Sequence, residues 1–220
     1  MVKRGLISIL LMLLCVVCVE PAMASEKGKG RAGGDRPRVR TEWGVGVGGS
    51  YTFFKPNSEL VTVKPRFGIG AKLHMGVLFN DYFALEAEIH YEGGSLMAAM
   101  PLNKEQVSRK IKTSTIDIPL MLSLRLFERV VQFDAGLLFT VMSRSEYTFN
   151  NEVMYFGSVY PTFNFTYGVG FRVGRYFLIE AHYIQPLGKT TNQFLPKLDD
   201  GSNVFKSQAQ RIVAGLTLMF

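Results

Sequence analysis

Cysteine is almost missing from this 220-residue chain, with Cys15 and Cys18 its two and none following them. Both fall in a segment with the marks of an export signal. Lys3 and Arg4 form a basic start, and residues 6–19 are an apolar stretch short for spanning a bilayer. Ala22 and Ala24 are the small residues that a signal peptidase reads. An uncleaved N-terminal anchor is the alternative. Neither cysteine follows a small residue, since Leu14 and Val17 precede them, which sets lipidation aside. Cleavage after Ala24 leaves a mature chain with no disulfide, no thiol nucleophile and no thiolate metal site. Long hydrophobic runs are also missing. Beyond residue 24 no stretch offers roughly 18 uninterrupted apolar residues, which excludes a transmembrane helix.

Acidic residues are the scarcer charge. Removing Lys3, Arg4 and Glu20 from 25 basic and 18 acidic residues leaves 23 against 17, a net charge of +6. Much of the excess lies in residues 25–42 (SEKGKGRAGGDRPRVRTE), a basic, glycine-rich stretch with few apolar side chains. Such a composition predicts a solvated, disordered segment, and no nucleic-acid partner is expected.

From Trp43 onward, period-two alternation predicts eight strands at 43–54, 65–79, 82–93, 110–126, 129–147, 160–173, 176–187 and 207–220. Tight turns at Asn80 and Asp81, at Glu128, and at Gly174 and Arg175 alternate with long connections at 55–64, 94–109, 148–159 and 188–206. That rhythm belongs to an all-β, eight-stranded, antiparallel, up-and-down transmembrane barrel over residues 43–220, with turns in the periplasm and loops outside. Closure leaves no backbone group unpaired in lipid.

Parity separates the two faces. One face includes Val45, Val47, Ile69, Leu73, Leu85, Ile89, Leu120, Leu122, Leu137, Val169, Ile179 and Leu216, and no residue on it is charged. Its aromatics gather toward the ends. Trp43, Phe79, Phe83, Phe171, Phe177 and Phe220 lie at the periplasmic rim. Tyr51, Phe53, Phe67, Tyr91, Phe163, Phe165 and Tyr183 lie at the outer rim. The other face carries Lys72, His74, Glu86, Glu88, His90, Asp117, Arg125, Asp134, Arg172, Glu180, His182 and Arg211, with many glycines between them. Charges that pair internally and small residues suit the narrow interior of eight strands. A soluble carrier with the apolar face inside fails, because that face is too bulky for the interior.

Candidate chemistry is thin. His90, Ser95 and Glu88 could compose an acyl-transfer site near the outer leaflet, although the His-x-Ser pattern of outer-membrane deacylases is absent. The lumen carboxylates could make a metal or acid/base cluster, but four cations among them favour a paired network. The glycines from Gly44 read as a strand with small inward residues rather than a dinucleotide loop. The sequon at Asn164 falls within a strand, and the tip at residues 199–203 reads as a turn rather than a calcium site. The expectation is therefore no catalytic, cofactor or metal site and no enzyme, with a lipid-modifying enzyme and a narrow channel as alternatives.

Ile116-Asp117-Ile118-Pro119-Leu120-Met121-Leu122 resembles the PorT-like family of outer-membrane barrels from the Bacteroidota. So do the block from Phe165 to Phe171, the block from Arg175 to Tyr183, and the terminal alternation ending in Phe220. The resemblance spans most of residues 43–220. It implies an outer-membrane location, contact with membrane lipid and lipopolysaccharide, a C-terminal strand read by barrel-assembly machinery, and a role in secretion or surface assembly. Residues 94–109 and 188–206 are the expected contact loops. Pro119 cannot donate a ladder hydrogen bond, which predicts a bulge or bend there.

Overall fold

The computed structural model describes residues 39–65, 67–102, 105–195 and 203–220. The export segment 1–24, the 25–42 stretch up to residue 38, and residues 199–202 of the acidic tip lie outside the described residues. The strands are β1 (Arg40–Pro56), β2 (Thr62–Pro65), β3 (Phe67–Leu78), β4 (Phe83–Leu102), β5 (Glu105–Leu126), β6 (Val131–Phe149), β7 (Glu152–Tyr155), β8 (Phe163–Val173), β9 (Phe177–Pro186), β10 (Thr190–Gln193) and β11 (Val204–Met219). The long strands pair antiparallel in the order β1, β3, β4, β5, β6, β8, β9, β11, and β11 pairs back onto β1. The ring is closed.

Its stagger can be followed residue by residue. From Glu42 the register runs through Gly76, Glu86, Met121, Gly136, Thr166, Ile184 and Arg211 and returns to β1 at Thr52, ten residues further along. That offset tilts the strands and fixes a bore that side chains fill. The three short turns lie at one end, and Gly174 adopts a left-handed φ of 63° in one of them. Asn80 Oδ1 closes another, accepting from the amides of Tyr82 and Phe83 at 2.8 and 2.7 Å.

The eight expected strands are all present, and the alternation holds. Phe67 and Ile69 are each 76% exposed, whereas His74, Glu86, Asp117 and Arg211 on the opposite face are buried. The aromatic rims expected from the sequence line the two ends of the exposed face, joined at the turn end by Tyr82, Phe127 and Tyr176. No helix among the described residues is long and apolar enough to cross a membrane.

Three boundaries differ from the sequence reading. β1 begins at Arg40, so Glu42 joins the strand, and its even number puts it in the lumen. The connection expected at 94–109 is strand over residues 94–102 and 105–109. β4 and β5 continue as a paired hairpin up to Leu102 and Glu105, and β2 pairs with its β4 side. The alternation does persist there, but Leu96, Ala98, Met100 and Ile111 are buried on the lumen-side face, so the polar-inside pattern that marks a barrel strand ends below them. Pro119 does not cause a bulge. It pairs with Leu138 in register, while the β4–β5 pairing lapses opposite it at Glu88 and Ile89 and resumes unshifted at His90. The register shift lies between Ile116 and Asp117, whose partners Met142 and Thr140 bracket the extra residue, Val141.

Interior glycines are positions of close approach. A Cβ on Gly136 would strike the Leu120 carbonyl oxygen on the neighbouring strand, and one on Gly168 would strike the His182 ring. A Gly136→Val chain is expected to lose the faster-migrating unheated band that the wild-type barrel shows on a detergent gel. An undiminished heat-modifiable band would contradict this packing.

Candidate functional site

The barrel interior is a stack of three charge clusters. At the turn end, Arg125 donates to Glu42 at 2.9 Å and to Glu86 at 2.8 Å. Arg172 donates to both oxygens of Glu42, at 3.1 and 2.8 Å. At mid-height Lys72 bridges Glu88 and Glu180, and Glu88 also meets His74 Nδ1 at 2.7 Å and His90 Nε2. Beside this cluster Gln132 donates to Asp134 at 3.1 Å, and Asp134 faces His182 Nε2 at 3.2 Å. At the loop end Arg211 donates to Asp117 and, at 2.9 Å, to Glu92, with Ser50 and Thr140 donating to the same two carboxylates. Period-two spacing brings these groups inward, and the register places partners from distant strands at one height.

Above Arg211 the interior changes character. The Arg211 guanidinium lies 4.4 Å from the centre of the Tyr160 ring, and the Tyr160 hydroxyl bonds Thr52. Burial pushes the Tyr160 phenol up to about 12, so it stays protonated. Beyond it an apolar cluster fills the loop end, including Phe54, Leu96, Ile111, Tyr147, Phe156, Phe194 and Phe205. The bulge at Val141 makes this possible. It switches the parity of β6, so Ser145 and Tyr147 turn inward. Nearby, the Ser143 hydroxyl oxygen accepts from the amides of Val159 and Tyr160 at 3.1 and 3.3 Å, seating the 156–160 segment over the bore.

The sequence candidates land as follows. His90 and Glu88 meet in the lumen, but Ser95, five residues on in the same regular strand, faces outward and lies about 17 Å along it. The serine, base and carboxylate are not assembled. Six lumen carboxylates face Lys72, Arg125, Arg172 or Arg211 and Asp134 faces Gln132 and His182, and no group of three metal-ligating residues among the described residues could hold an ion. Asn164 of the sequon is buried, its amide donating to Thr140 and to the Pro161 carbonyl. A cavity between Lys72, His90, Glu92, Glu180 and His182 measures about 30 Å³, room for roughly one water. Sequence reasoning missed Glu42 and the apolar cluster. Extending the even-numbered face of β1 by one step below Gly44 finds the first, and carrying the face of β4 past Gly94 finds the second.

Removing one partner of a buried ion pair strands the other charge, at a cost of about 3–5 kcal/mol. Arg125→Leu, which leaves Glu42 and Glu86 facing each other, is expected to destabilise the barrel by that amount in urea titrations in lipid vesicles. Adding Glu42→Gln and Glu86→Gln should recover most of the loss. A single variant as stable as wild type would contradict a working network.

A family model described as an outer membrane protein beta-barrel domain matches residues 31–192. No curated protein sequence matches the chain. Among solved structures it is similar to Ail, the attachment invasion locus protein of Yersinia pestis, with 14% identity, a TM-score of 0.47, and coverage of 81% of this chain and 98% of that one. It is also similar to Neisserial surface protein A, with 12% identity, a TM-score of 0.49, and coverage of 81% and 97%. OprG from Pseudomonas aeruginosa follows at 11% identity, a TM-score of 0.47, and coverage of 83% and 97%. A closed eight-stranded ring with a charged interior, an apolar outer face and a family match over most of its length is a protein of the bacterial outer membrane, and the chain belongs to the outer membrane beta-barrel domain family.

Proposed function

We propose that this protein is a non-enzymatic outer-membrane barrel that presents its extracellular β-hairpin to a protein partner in a secretion or surface assembly. The observation that carries this reading is the edge of β5 above Lys112, which among the described residues has no ladder partner on its β6 side. Pairing with β6 ends at Lys112 and Glu146, while pairing with β4 continues to Leu102 and Glu105. Residues 105–111 thus have a partner on one side and present main-chain donors and acceptors on the other, the arrangement that recruits an added strand. Across β6 from that edge, Val153 (70% exposed) and Tyr155 (59% exposed) on β7 supply side chains suited to anchoring a partner. The apolar cluster under the hairpin holds that edge rigid, which lowers the ordering cost of binding.

The similarity of residues 116–122 and 165–183 to PorT-like barrels supports the secretion side of this role. Assembly machinery would read β11, whose end is tied to the barrel by the Phe220 amide donating to the Trp43 carbonyl at 2.8 Å. Replacing residues 99–108 with a two-residue turn tests the reading. The shortened barrel should stay heat-modifiable and leave envelope integrity intact, while secretion and cross-linking to the partner fall. Unchanged secretion and cross-linking would sink the proposal. In the same deletion background, lipid A mass spectra should match wild type, and the purified barrel should show background conductance in planar bilayers.

A further inference from the structure

Above the apolar belt, the described residues of β2, β5 and β6 gather exposed cations on one side of the barrel. On β5 the outward face runs Leu126, Leu124, Leu122, Leu120, Ile118 and Ile116, then Ser114, Lys112 and Lys110. With a rise of about 3.4 Å per residue and a tilt of about 40°, Leu126 to Ile116 covers about 26 Å, the height of the hydrocarbon band. Lys112 then stands about 10 Å above the belt, at the depth of lipid headgroups.

The register gathers further cations around it. Lys110 lies opposite Met97, and Met97 opposite Lys64 on β2. Lys64 and Lys110 are therefore two strand spacings, about 10 Å, apart. Arg144 on β6 faces Ser114 and is the diagonal neighbour of Lys112, about 7–8 Å away. All four cations are exposed. Glu146 is the one carboxylate that the register places on this outward patch. It lies opposite Lys112 and pairs with Arg144. The other rim differs. There the charges among the described residues are Arg40, Arg129 and Arg175 against Asp81 and Glu128, with Asp81 paired to Arg129.

We propose that Lys64, Lys110, Lys112 and Arg144 form a binding site for the phosphate groups of an outer-leaflet glycolipid, a lipopolysaccharide seated against this side of the barrel. Acyl chains pack on the Ile116–Leu126 face and around Tyr91, while the phosphates meet the cations directly above. Attraction of this kind falls off within a Debye length, so it acts on the leaflet at that depth. The place of this patch at the loop end of the barrel selects the outer leaflet. Long lysine stems let the ammonium groups reach phosphates without leaving the apolar wall beside Met97.

Native mass spectrometry of the folded barrel with bisphosphorylated lipid A tests this. The wild type should retain lipid A, with dephosphorylated lipid A and phosphatidylglycerol bound more weakly. Lys110→Glu with Lys112→Glu should lower lipid A binding roughly tenfold or more. Arg40→Glu with Arg175→Glu, the same change of net charge at the opposite rim, should leave it unaltered. Heat-modifiability checks that each variant is folded, and Lys110→Gln offers a milder change if the double reversal fails to fold. Equal losses from both double variants, or equal binding of dephosphorylated lipid A or phosphatidylglycerol, would overturn the site.

Discussion

Every unpaired N–H or C=O in hydrocarbon costs several kcal/mol, so a sheet can cross a bilayer only when its first and last strands find each other. Here that condition is met by the ladder between β1 and β11, which runs from Gly44 and Met219 to Pro56 and Ser207. The stagger of ten residues sets the bore, the bore sets how much side chain fits inside, and the glycines of β1, β3 and β8 meet that limit. At Gly136 and Gly168 the next strand or its side chain comes too close for a Cβ.

The interior is sealed by two different physical means along one axis. In the belt, where lipid surrounds the wall, seven carboxylates are tied to four cations and three histidines by the stacked clusters. Above the belt the same inward face turns apolar and packs as a small hydrophobic core. The bulge at Val141 joins the two regimes by flipping the parity of β6, and Tyr160 sits at the junction, stacked on Arg211 below and contiguous with the apolar cluster above. Among the described residues, the loop end is built on paired strands and a packed apolar cluster.

Much of this was legible in the sequence, because a two-residue period over ten or more residues leaves little freedom in assigning faces. All eight ring strands, the aromatic rims and most lumen charges followed from it. The extracellular half was harder. Beyond Gly93 the inward positions become Leu96, Ala98 and Met100, so the polar-inside signature vanishes just where a hydrophobic core replaces it. β7 and β10 have four residues each, too few to show a period. Val141 as a bulge left no compositional trace, whereas Pro119 suggested one that the register does not show. The lumen role of Glu42 was hidden because it adjoins a basic, glycine-rich stretch. The alternative acyl-transfer set is not assembled for a reason parity already contained, since positions 90 and 95 cannot share a face of a regular strand.

An apolar outward face that follows the two-residue period of each strand, and a closed, filled interior, should persist in a membrane. No cysteine follows Cys18, so in a chain beginning at Ser25 single cysteines at successive positions from Lys110 to Leu126 can be spin-labelled without background. In lipid vesicles, oxygen accessibility should alternate with a period of two between Ile116 and Leu126, with maxima at even-numbered β5 positions such as Leu120 and Leu122. A polar relaxation agent should dominate at Lys112 and Lys110. Accessibility without alternation, or with its maxima at Asp117, Met121 and Arg125, would contradict the account.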